Sequence, residues 1–335
     1  MVTHVVYSEI FHKHDNSGHP ENAKRLLVMM NELQHAPFFD EVTIVEPEML
    51  PEESLYELHS EQMIEQIKDL SLQDESWIDM DTYVCRSDYE TARFAAGGLV
   101  QVCKQVVAGK IDNAFSMARP PGHHATRTHS MGFCLFNNAA LAAHALTKEG
   151  KRVLIFDNDV HHGNGTQDIF YDRNDVMYQS FHLYPHYPGT GAIEEIGTGA
   201  GEGYTINAPL PHGTGNDAII QVLDKVFLPI ARQFKPDLVI VSSGYDSHHA
   251  DPLGGFMLTS NFFGDMIAKL QEIQPKIVCT LEGGYNLSWI GKCLVSQIGQ
   301  LIGHPVKFND SIRGETTAKS VVNNIKNEID NYWKL

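Results

Sequence analysis

The chain has 335 residues, of which 42% are hydrophobic and 20% charged, so it is long enough to bury a substantial core. Its formal net charge of −17 argues against direct nucleic-acid binding; it favours a basic partner or substrate, or else a solvated acidic face. No apolar run approaches the ~18 residues of a membrane span, and the N-terminus lacks the basic start and apolar run of a secretory signal, so neither is expected.

Short apolar or β-branched segments alternate with helical patterns along the chain. Strands are predicted, in chain order, at residues 5–7, 114–117, 153–156, 176–181, 238–242 and 277–281, and helices at 87–108, 137–148, 218–234 and 260–273. No internal repeat, low-complexity tract or linker interrupts this pattern. The alternation predicts a single α/β domain over residues 1–335, with a parallel sheet covered by helices on both faces.

Polar clusters follow four of the predicted strands. They occupy residues 119–124, 157–162, 243–246 and 282–285. Because ligands bind at the carboxyl ends of the strands in open α/β sheets, these clusters are expected to converge on one site.

The cluster after the strand at 153–156 contains candidate metal ligands. In an extended chain, Asp157, Asp159 and His161 would point to the same face. Carboxylates and imidazole suit zinc or, less selectively, iron(II) or cobalt, and Asp246 is the candidate ligand from elsewhere in the chain. Three protein ligands would leave a position for water, as a catalytic site requires. An isolated Asp-x-His pair is usually structural or solvated, so this prediction depends on the other clusters.

The adjacent histidines His123 and His124 form a second candidate centre. They follow Pro-Pro-Gly, which favours a stiff loop. Two imidazoles beside a metal site could act as general base and as general acid or electrostatic stabiliser, with Asp157 orienting one of them. A pair of zinc ligands or a polar turn would give the same sequence.

Tyr285 follows a predicted strand and two glycines, which allow the backbone to approach the site closely. Its hydroxyl could donate a hydrogen bond to a substrate carbonyl and to the oxyanion that develops from it. Taken alone, a tyrosine in this position is more often part of the core.

The five cysteines are odd in number, scattered, and include no Cys-x-x-Cys pair. They are Cys85, Cys103, Cys134, Cys279 and Cys293. This pattern disfavours a disulfide framework or a cysteine-based zinc site, and it is typical of the reducing cytoplasm.

Five ordered motifs carry a resemblance to a known family. They are residues 119–125 (Arg-Pro-Pro-Gly-His-His-Ala), 132–138 (Gly-Phe-Cys-Leu-Phe-Asn-Asn), 157–167 (Asp-Asn-Asp-Val-His-His-Gly-Asn-Gly-Thr-Gln), Asp246 with 251–255 (Asp-Pro-Leu-Gly-Gly), and 281–285 (Leu-Glu-Gly-Gly-Tyr). In these motifs the chain resembles the histone deacetylases and their bacterial amidohydrolase relatives, with class II features, from the first strand to about Gly303.

The resemblance implies an arginase-like α/β fold with a central parallel sheet of eight strands, and it implies roles for individual residues. The zinc ligands would be Asp159, His161 and Asp246, and the catalytic residues His123, His124, Asp157 and Tyr285. The acyl-lysine tunnel would include Gly132, Phe133, Tyr187 and Leu253. Structural potassium would lie near Asp157, Asp159, His161, Ser180 and Phe181, and a second potassium near Phe170, Arg173 and Val176.

Four positions refine the resemblance. Asn164 stands where class I members carry aspartate, which favours class II. Tyr187 replaces the second phenylalanine of the tunnel. Leu253 lies where a polyamine-specific relative carries glutamate, which counts against that specificity. Tyr285 distinguishes the chain from a weakly active subgroup that has histidine there.

The function implied is zinc-dependent hydrolysis of the amide of acetyl-lysine, or of a related acylated amine, by metal-activated water. The substrate would be an acylated lysine peptide or protein, and the alternative is an acetylpolyamine or another small acylamide. A ureohydrolase of the same fold would need two metals and more aspartates, and a non-catalytic acyl-lysine binder would be expected to have lost Tyr285 or a metal ligand. Iron(II) could replace zinc, and the resemblance to bacterial relatives makes a homo-oligomer an expectation.

Overall fold

The computed structural model describes residues 1–335 and contains ten β-strands. They are β1 (Thr3–Val6), β2 (Val42–Val45), β3 (Glu75–Trp77), β4 (Tyr83–Cys85), β5 (Asn113–Ser116), β6 (Val153–Asp157), β7 (Val176–Leu183), β8 (Thr205–Leu210), β9 (Leu238–Ser243) and β10 (Ile277–Leu281). Eight of them form one parallel sheet in the order β2-β1-β5-β10-β9-β6-β7-β8, and β3 and β4 form a separate antiparallel hairpin. The prediction of a single α/β domain with an eight-stranded parallel sheet is confirmed.

The helices are distributed between the strands. They are α1 (Lys24–Gln34), α2 (Glu52–Leu55), α3 (Glu61–Leu70), α4 (Asp88–Val107), α5 (Asn138–Thr147), α6 (Asn164–Phe170), α7 (Asn216–Val222), α8 (Leu228–Phe234), α9 (Ser260–Gln271), α10 (Ile290–Leu301) and α11 (Lys319–Ile329). A π-helical turn, Leu223–Phe227, joins α7 to α8, so the predicted helix at 218–234 is continuous but changes its hydrogen-bonding pattern midway. None of the helices is long and apolar enough to cross a membrane.

Helices cover the sheet on both faces. α4 packs against α5 and against β1, β5 and β10, while α5 also contacts β6 and β9. α10 packs between α1 and α9, and α11 contacts β8. Every residue of β6, β7, β9 and β10 is buried, which explains why these strands appear in the sequence as nearly continuous apolar runs.

Two strands of the sheet were not predicted, and both lie at its edges. β2 is only partly buried, so it has no strong apolar signal. β8 contains Asn207 and Pro209, which interrupt its apolar run, and proline is tolerated because β8 pairs only with β7. The hairpin β3–β4 was missed because its first strand is largely exposed and acidic.

Candidate active site

The four polar clusters follow four strands that are consecutive neighbours in the sheet, β5, β10, β9 and β6. A cavity of about 380 Å³ opens at their carboxyl ends. Its walls include His123, His124, His161 and Tyr285, and all four residues predicted to form the tunnel, Gly132, Phe133, Tyr187 and Leu253. The sheet order therefore brings together side chains from distant parts of the chain, as the strand-end argument predicted.

The side chains of Asp159, His161 and Asp246 converge at the floor of this cavity. Their ligand atoms lie within 4.8 Å of one another. His161 Nδ1 is 3.0 Å from Asp159 Oδ1 and 3.2 Å from Asp246 Oδ2. Asp159 and Asp246 are fully buried, and His161 is 12% exposed towards the cavity. Two carboxylates and an imidazole in this arrangement form a typical binding site for a divalent transition metal.

The chemistry of the site fits a cation. Asp246 Oδ2 is buried and accepts no hydrogen bond of good geometry, although His161 Nδ1 lies 3.2 Å away. Burial in this state is costly for a carboxylate oxygen unless a cation binds there. Burial and the neighbouring charge of Asp159 raise the pKa of Asp246 to about 7. Gly283 keeps the space open, because a Cβ atom there would lie 2.1 Å from Asp246 Oδ2 and 2.6 Å from Asp159 Oδ2. These residues fit a single zinc or iron(II) ion.

The segment that carries two of these ligands is not extended, contrary to the expectation from alternating residues. β6 ends at Asp157, and the chain then turns by side-chain-to-backbone hydrogen bonds. Asp157 Oδ1 accepts the N–H of Asp159 at 3.1 Å, and Asp159 Oδ1 accepts the N–H of His161 at 2.9 Å. Asp157 consequently lies apart from the ligand group and contacts His123 and the hydroxyl of Tyr178 instead.

The two adjacent histidines lie beside the ligand group and have different partners. Their ring centroids are 4.0 Å apart. His123 Nδ1 is 3.1 Å from Asp157 Oδ2, whereas His124 Nδ1 is 2.7 Å from Asn164 Oδ1. Burial disfavours the charged form of His123, but Asp157 and Asp159 outweigh burial and raise its pKa to about 10. Burial, assisted by the positive charges of His123 and His161, lowers the pKa of His124 well below its usual value.

The buried Glu282 holds the histidine loop against the end of the sheet. Its Oε2 accepts the backbone N–H groups of Gly122 and His123 at 2.8 and 3.2 Å, and its Oε1 accepts the hydroxyl of Ser242 at 3.0 Å. Burial raises the pKa of Glu282 to about 7. Glu282 was part of a quoted motif, but no role was predicted for it.

Tyr285 lines the same cavity as His123 and His124. Its ring packs edge-on against Phe133, and the guanidinium of Arg25 lies 5.1 Å from its ring centroid. Burial raises the pKa of the Tyr285 hydroxyl well above its usual value, so the hydroxyl remains a hydrogen-bond donor near neutral pH. Gly284 precedes it with φ +115°, and a Cβ atom there would lie 2.7 Å from the Tyr245 Cβ.

The comparison with protein families agrees with this geometry. The histone deacetylase domain matches residues 19–301 of the chain. This chain belongs to the histone deacetylase family.

Members of the histone deacetylase family with similar sequences come from archaea and plants. A probable deacetylase of Archaeoglobus fulgidus is 38% identical over 296 residues, which cover 86% of this chain and 82% of the archaeal protein. Histone deacetylase 15 of Arabidopsis thaliana is 37% identical over 318 residues, covering 91% of this chain and 58% of the plant protein. In three dimensions, the crystal structure of the HDA15 HD domain matches with a TM-score of 0.92 and 35% identity, over 99% of this chain and 97% of that one.

Two residues outside the five quoted motifs, Asp81 and His186, also line the cavity, and no role was predicted for them. Asp81, next to the hairpin strand β4, lies at the cavity wall, and His186 stacks on His161 with ring centroids 5.1 Å apart. Asp81 belongs to an acidic stretch that is indistinguishable in sequence from a solvated surface. His186 precedes Tyr187, a predicted tunnel residue, so this adjacency was a signal in the sequence that was not used.

A second group of metal-type side chains, His248, His249 and Asp310, lies behind the loop that carries Asp246. His248 Nδ1 accepts the backbone N–H of Ala250 at 3.2 Å, so its Nε2 carries the proton and donates to Asp310 at 3.0 Å. Asp310 also accepts the N–H of Ser260 at 2.6 Å. This group is a hydrogen-bonded link between the loop and the C-terminal segment rather than a metal site.

Proposed function

We propose that this protein is a zinc-dependent deacylase that hydrolyses the amide of acetyl-lysine or of a related acylated amine. The observation that supports this most strongly is the position of His123 and His124 beside the Asp159, His161 and Asp246 ligand group, in one cavity with Tyr285. Its membership of the histone deacetylase family supports the same class of reaction.

Asp159, His161 and Asp246 would hold the zinc ion, and iron(II) is an alternative with the same ligands. When bound, the ion supplies Lewis-acid chemistry, polarising the amide carbonyl and making water a stronger nucleophile near neutral pH. The three protein ligands leave room on the cavity side for substrate and water.

The two histidines would divide the proton transfers between them. His124 is kept neutral by burial and by an amide partner, so its free nitrogen can remove a proton from the attacking water. His123 is held in its charged form by Asp157, which also orients the ring, so it can stabilise negative charge and donate a proton to the leaving amine. The protonated Tyr285 would donate a hydrogen bond to the developing oxyanion.

The cavity walls suit an acyl chain on an amine. Phe133 and Leu253 provide apolar surface, while Tyr187 and Asp81 add polar groups to the cavity lining. Asp81 could attract the positive charge of a polyamine as well as the flanking charges of a basic peptide. We infer an acyl-lysine peptide as the substrate, because Leu253 offers no charge to a polyamine; an acetylpolyamine is the alternative.

Structural potassium is a further part of the proposal. Asp157 at the end of β6 pairs in register with Ser180 in β7. The proposed ligands would therefore come from the end of β6, the residues that follow it, and the neighbouring part of β7. The second proposed site, near Phe170, Arg173 and Val176, lies where α6 leads into β7. A cytoplasmic location and a homo-oligomer likewise remain predictions from sequence.

The test is hydrolysis by the purified, zinc-loaded protein of an acetyl-lysine peptide beside an acetylated polyamine. His124→Ala is the blank, because it removes the proposed base and leaves the ligand group intact. We expect the peptide to be hydrolysed faster. Faster hydrolysis of the polyamine would favour the alternative substrate, and no release of acyl group from either by the metal-loaded protein would contradict the proposed acetyl specificity.

A further inference from the structure

The carboxylate of Asp251 connects two segments that line the cavity, one with Tyr285 and one with Leu253. Asp251 lies in the loop after β9, and its Oδ2 accepts the backbone N–H of Tyr285 at 2.6 Å and that of Asn286 at 2.9 Å. Its Oδ1 accepts the backbone N–H of Leu253 at 3.0 Å. Tyr285 and Leu253 both line the cavity, and Asp251 itself does not.

The hydrogen bonds that Asp251 accepts from Tyr285 and Asn286 connect the Tyr285 backbone directly to the loop after β9. Gly283 and Gly284 precede the tyrosine. Asp159 accepts the N–H of Gly283 at 2.8 Å and Arg25 donates to the carbonyl of Gly284 at 2.7 Å, but neither bond is to the N–H of Tyr285. Charge-assisted hydrogen bonds from backbone N–H groups to a carboxylate are about twice as strong as neutral ones. A second contact between the same segments runs from Asn286 Nδ2 to the Ala250 carbonyl at 2.6 Å.

We propose that Asp251 is a positioning residue that sets both the place of the Tyr285 hydroxyl and the position of the Leu253 wall. This inference rests on the proposed function, because it concerns the same cavity. Asp251 would act through the backbone of these two residues, without touching the substrate. A displacement of about 1 Å in a catalytic group can cost on the order of 10²-fold in rate, so losing this anchor would lower kcat even though the hydroxyl is still present.

Kinetics of Asp251→Ala separate positioning from general stability. We expect kcat on an acyl-lysine substrate to fall about 10- to 100-fold, with one metal ion still bound per chain. In a Tyr285→Phe background the same change is expected to lower kcat no further, because the group it positions is already absent. Asp251→Asn keeps one acceptor oxygen, so its kcat is expected to lie between those of the wild type and Asp251→Ala. It replaces the alanine variant if that variant fails to fold.

Asp310→Asn is the matched control. Asp310 is a buried carboxylate that contacts the same loop through His248 and His249 but makes no bond to Tyr285 or Leu253. Its replacement is expected to leave kcat within about twofold, since the hydrogen bonds of Asp251 remain. The effect of Asp251 on the position of Leu253 is tested by the preference for acyl-chain length. This preference is expected to change in Asp251→Ala even in the Tyr285→Phe background.

An activity-independent readout distinguishes failure of this inference from failure of the proposed function. The ring resonance of Tyr285 in ¹³C-tyrosine-labelled protein, assigned with Tyr285→Phe, is expected to shift in Asp251→Ala and not in Asp310→Asn. Three results would overturn the positioning role. The first is an unshifted resonance in Asp251→Ala and Asp251→Asn, and the second is a wild-type kcat in both variants. The third is a fall in kcat that multiplies with the fall caused by Tyr285→Phe. A shifted resonance in a protein inactive on every acyl amide would leave the role standing and refute the proposed reaction.

Discussion

The Nδ1 atom of His124 lies 2.7 Å from the amide oxygen of Asn164, so the orienting partner of this histidine is neutral. The adjacent histidine, His123, has the carboxylate of Asp157 as its partner. A carboxylate stabilises the charged imidazole far more than an amide does. This difference in partners gives the two neighbouring imidazoles opposite tendencies to bind a proton, and it supports the proposal that His124 is the base and His123 the acid.

Replacement of Asn164 by aspartate tests this assignment. A carboxylate at 164 would raise the pKa of His124, because it favours the protonated ring. If His124 must be neutral to act as the base, the acidic limb of the kcat/KM profile moves to higher pH and activity at low pH falls. The measurement is the pH profile of the metal-loaded Asn164→Asp variant. An acidic limb at the wild-type position would argue against His124 as the base.

Tyr285→Phe removes the proposed oxyanion donor and keeps the ring that packs on Phe133 and under Arg25. We expect kcat to fall about 10²–10³-fold while metal binding is unchanged. Tyr187→Phe is the control, because it removes a different hydroxyl from the lining of the same cavity. Near-wild-type turnover by Tyr285→Phe with its metal bound would exclude the tyrosine from the mechanism.

A buried histidine away from the cavity predicts a pH dependence of stability. His14 Nδ1 lies 2.6 Å from Asp88 Oδ2, and its Nε2 lies 3.3 Å from Glu21 Oε2. Burial favours the neutral ring, but these two carboxylates outweigh burial and raise the pKa of His14 to about 8.

Because the folded-state pKa lies above the unfolded value of about 6.5, the stabilisation is complete below pH 6.5 and is lost as the pH rises through 8. The free energy of unfolding is therefore expected to fall by about 2 kcal/mol as the pH rises through this range. His14→Gln is expected to lack this fall. Denaturant unfolding at pH 6 and pH 8.5 measures it, with the exposed His304→Gln as control. Equal pH dependence in wild type and His14→Gln would show that His14 does not bind its proton on folding.

The strands that form the centre of the sheet and the chemistry at their ends were predictable from local sequence. Buried parallel strands appear as apolar runs, and the residues that follow them, such as Asp159 and His161, fall at one edge by topology alone. The edge strand β8 was not predictable in this way, because Pro209 breaks its pattern and only its pairing with β7 identifies it as a strand.

The residues that hold the site in place were less predictable, since their contacts link distant parts of the chain. Arg25 donates hydrogen bonds to the carbonyl oxygens of Glu282 and Gly284, which are more than 250 positions away. A lone arginine in the N-terminal part of the sequence carries no sign of this contact. The same is true of Asp81, whose acidic neighbourhood indicates solvent exposure.

In the proposed mechanism, amide hydrolysis requires one divalent metal held by Asp159, His161 and Asp246. The most direct test removes the metal with a chelator, adds zinc back, and measures release of acetate from an acetyl-lysine peptide at each stage, with Asp246→Asn treated in parallel. We expect acetate release to stop when the metal is removed and to return with about one zinc per chain. In Asp246→Asn, zinc is not expected to restore it. Full activity in the stripped protein, or in Asp246→Asn without bound metal, would contradict this mechanism.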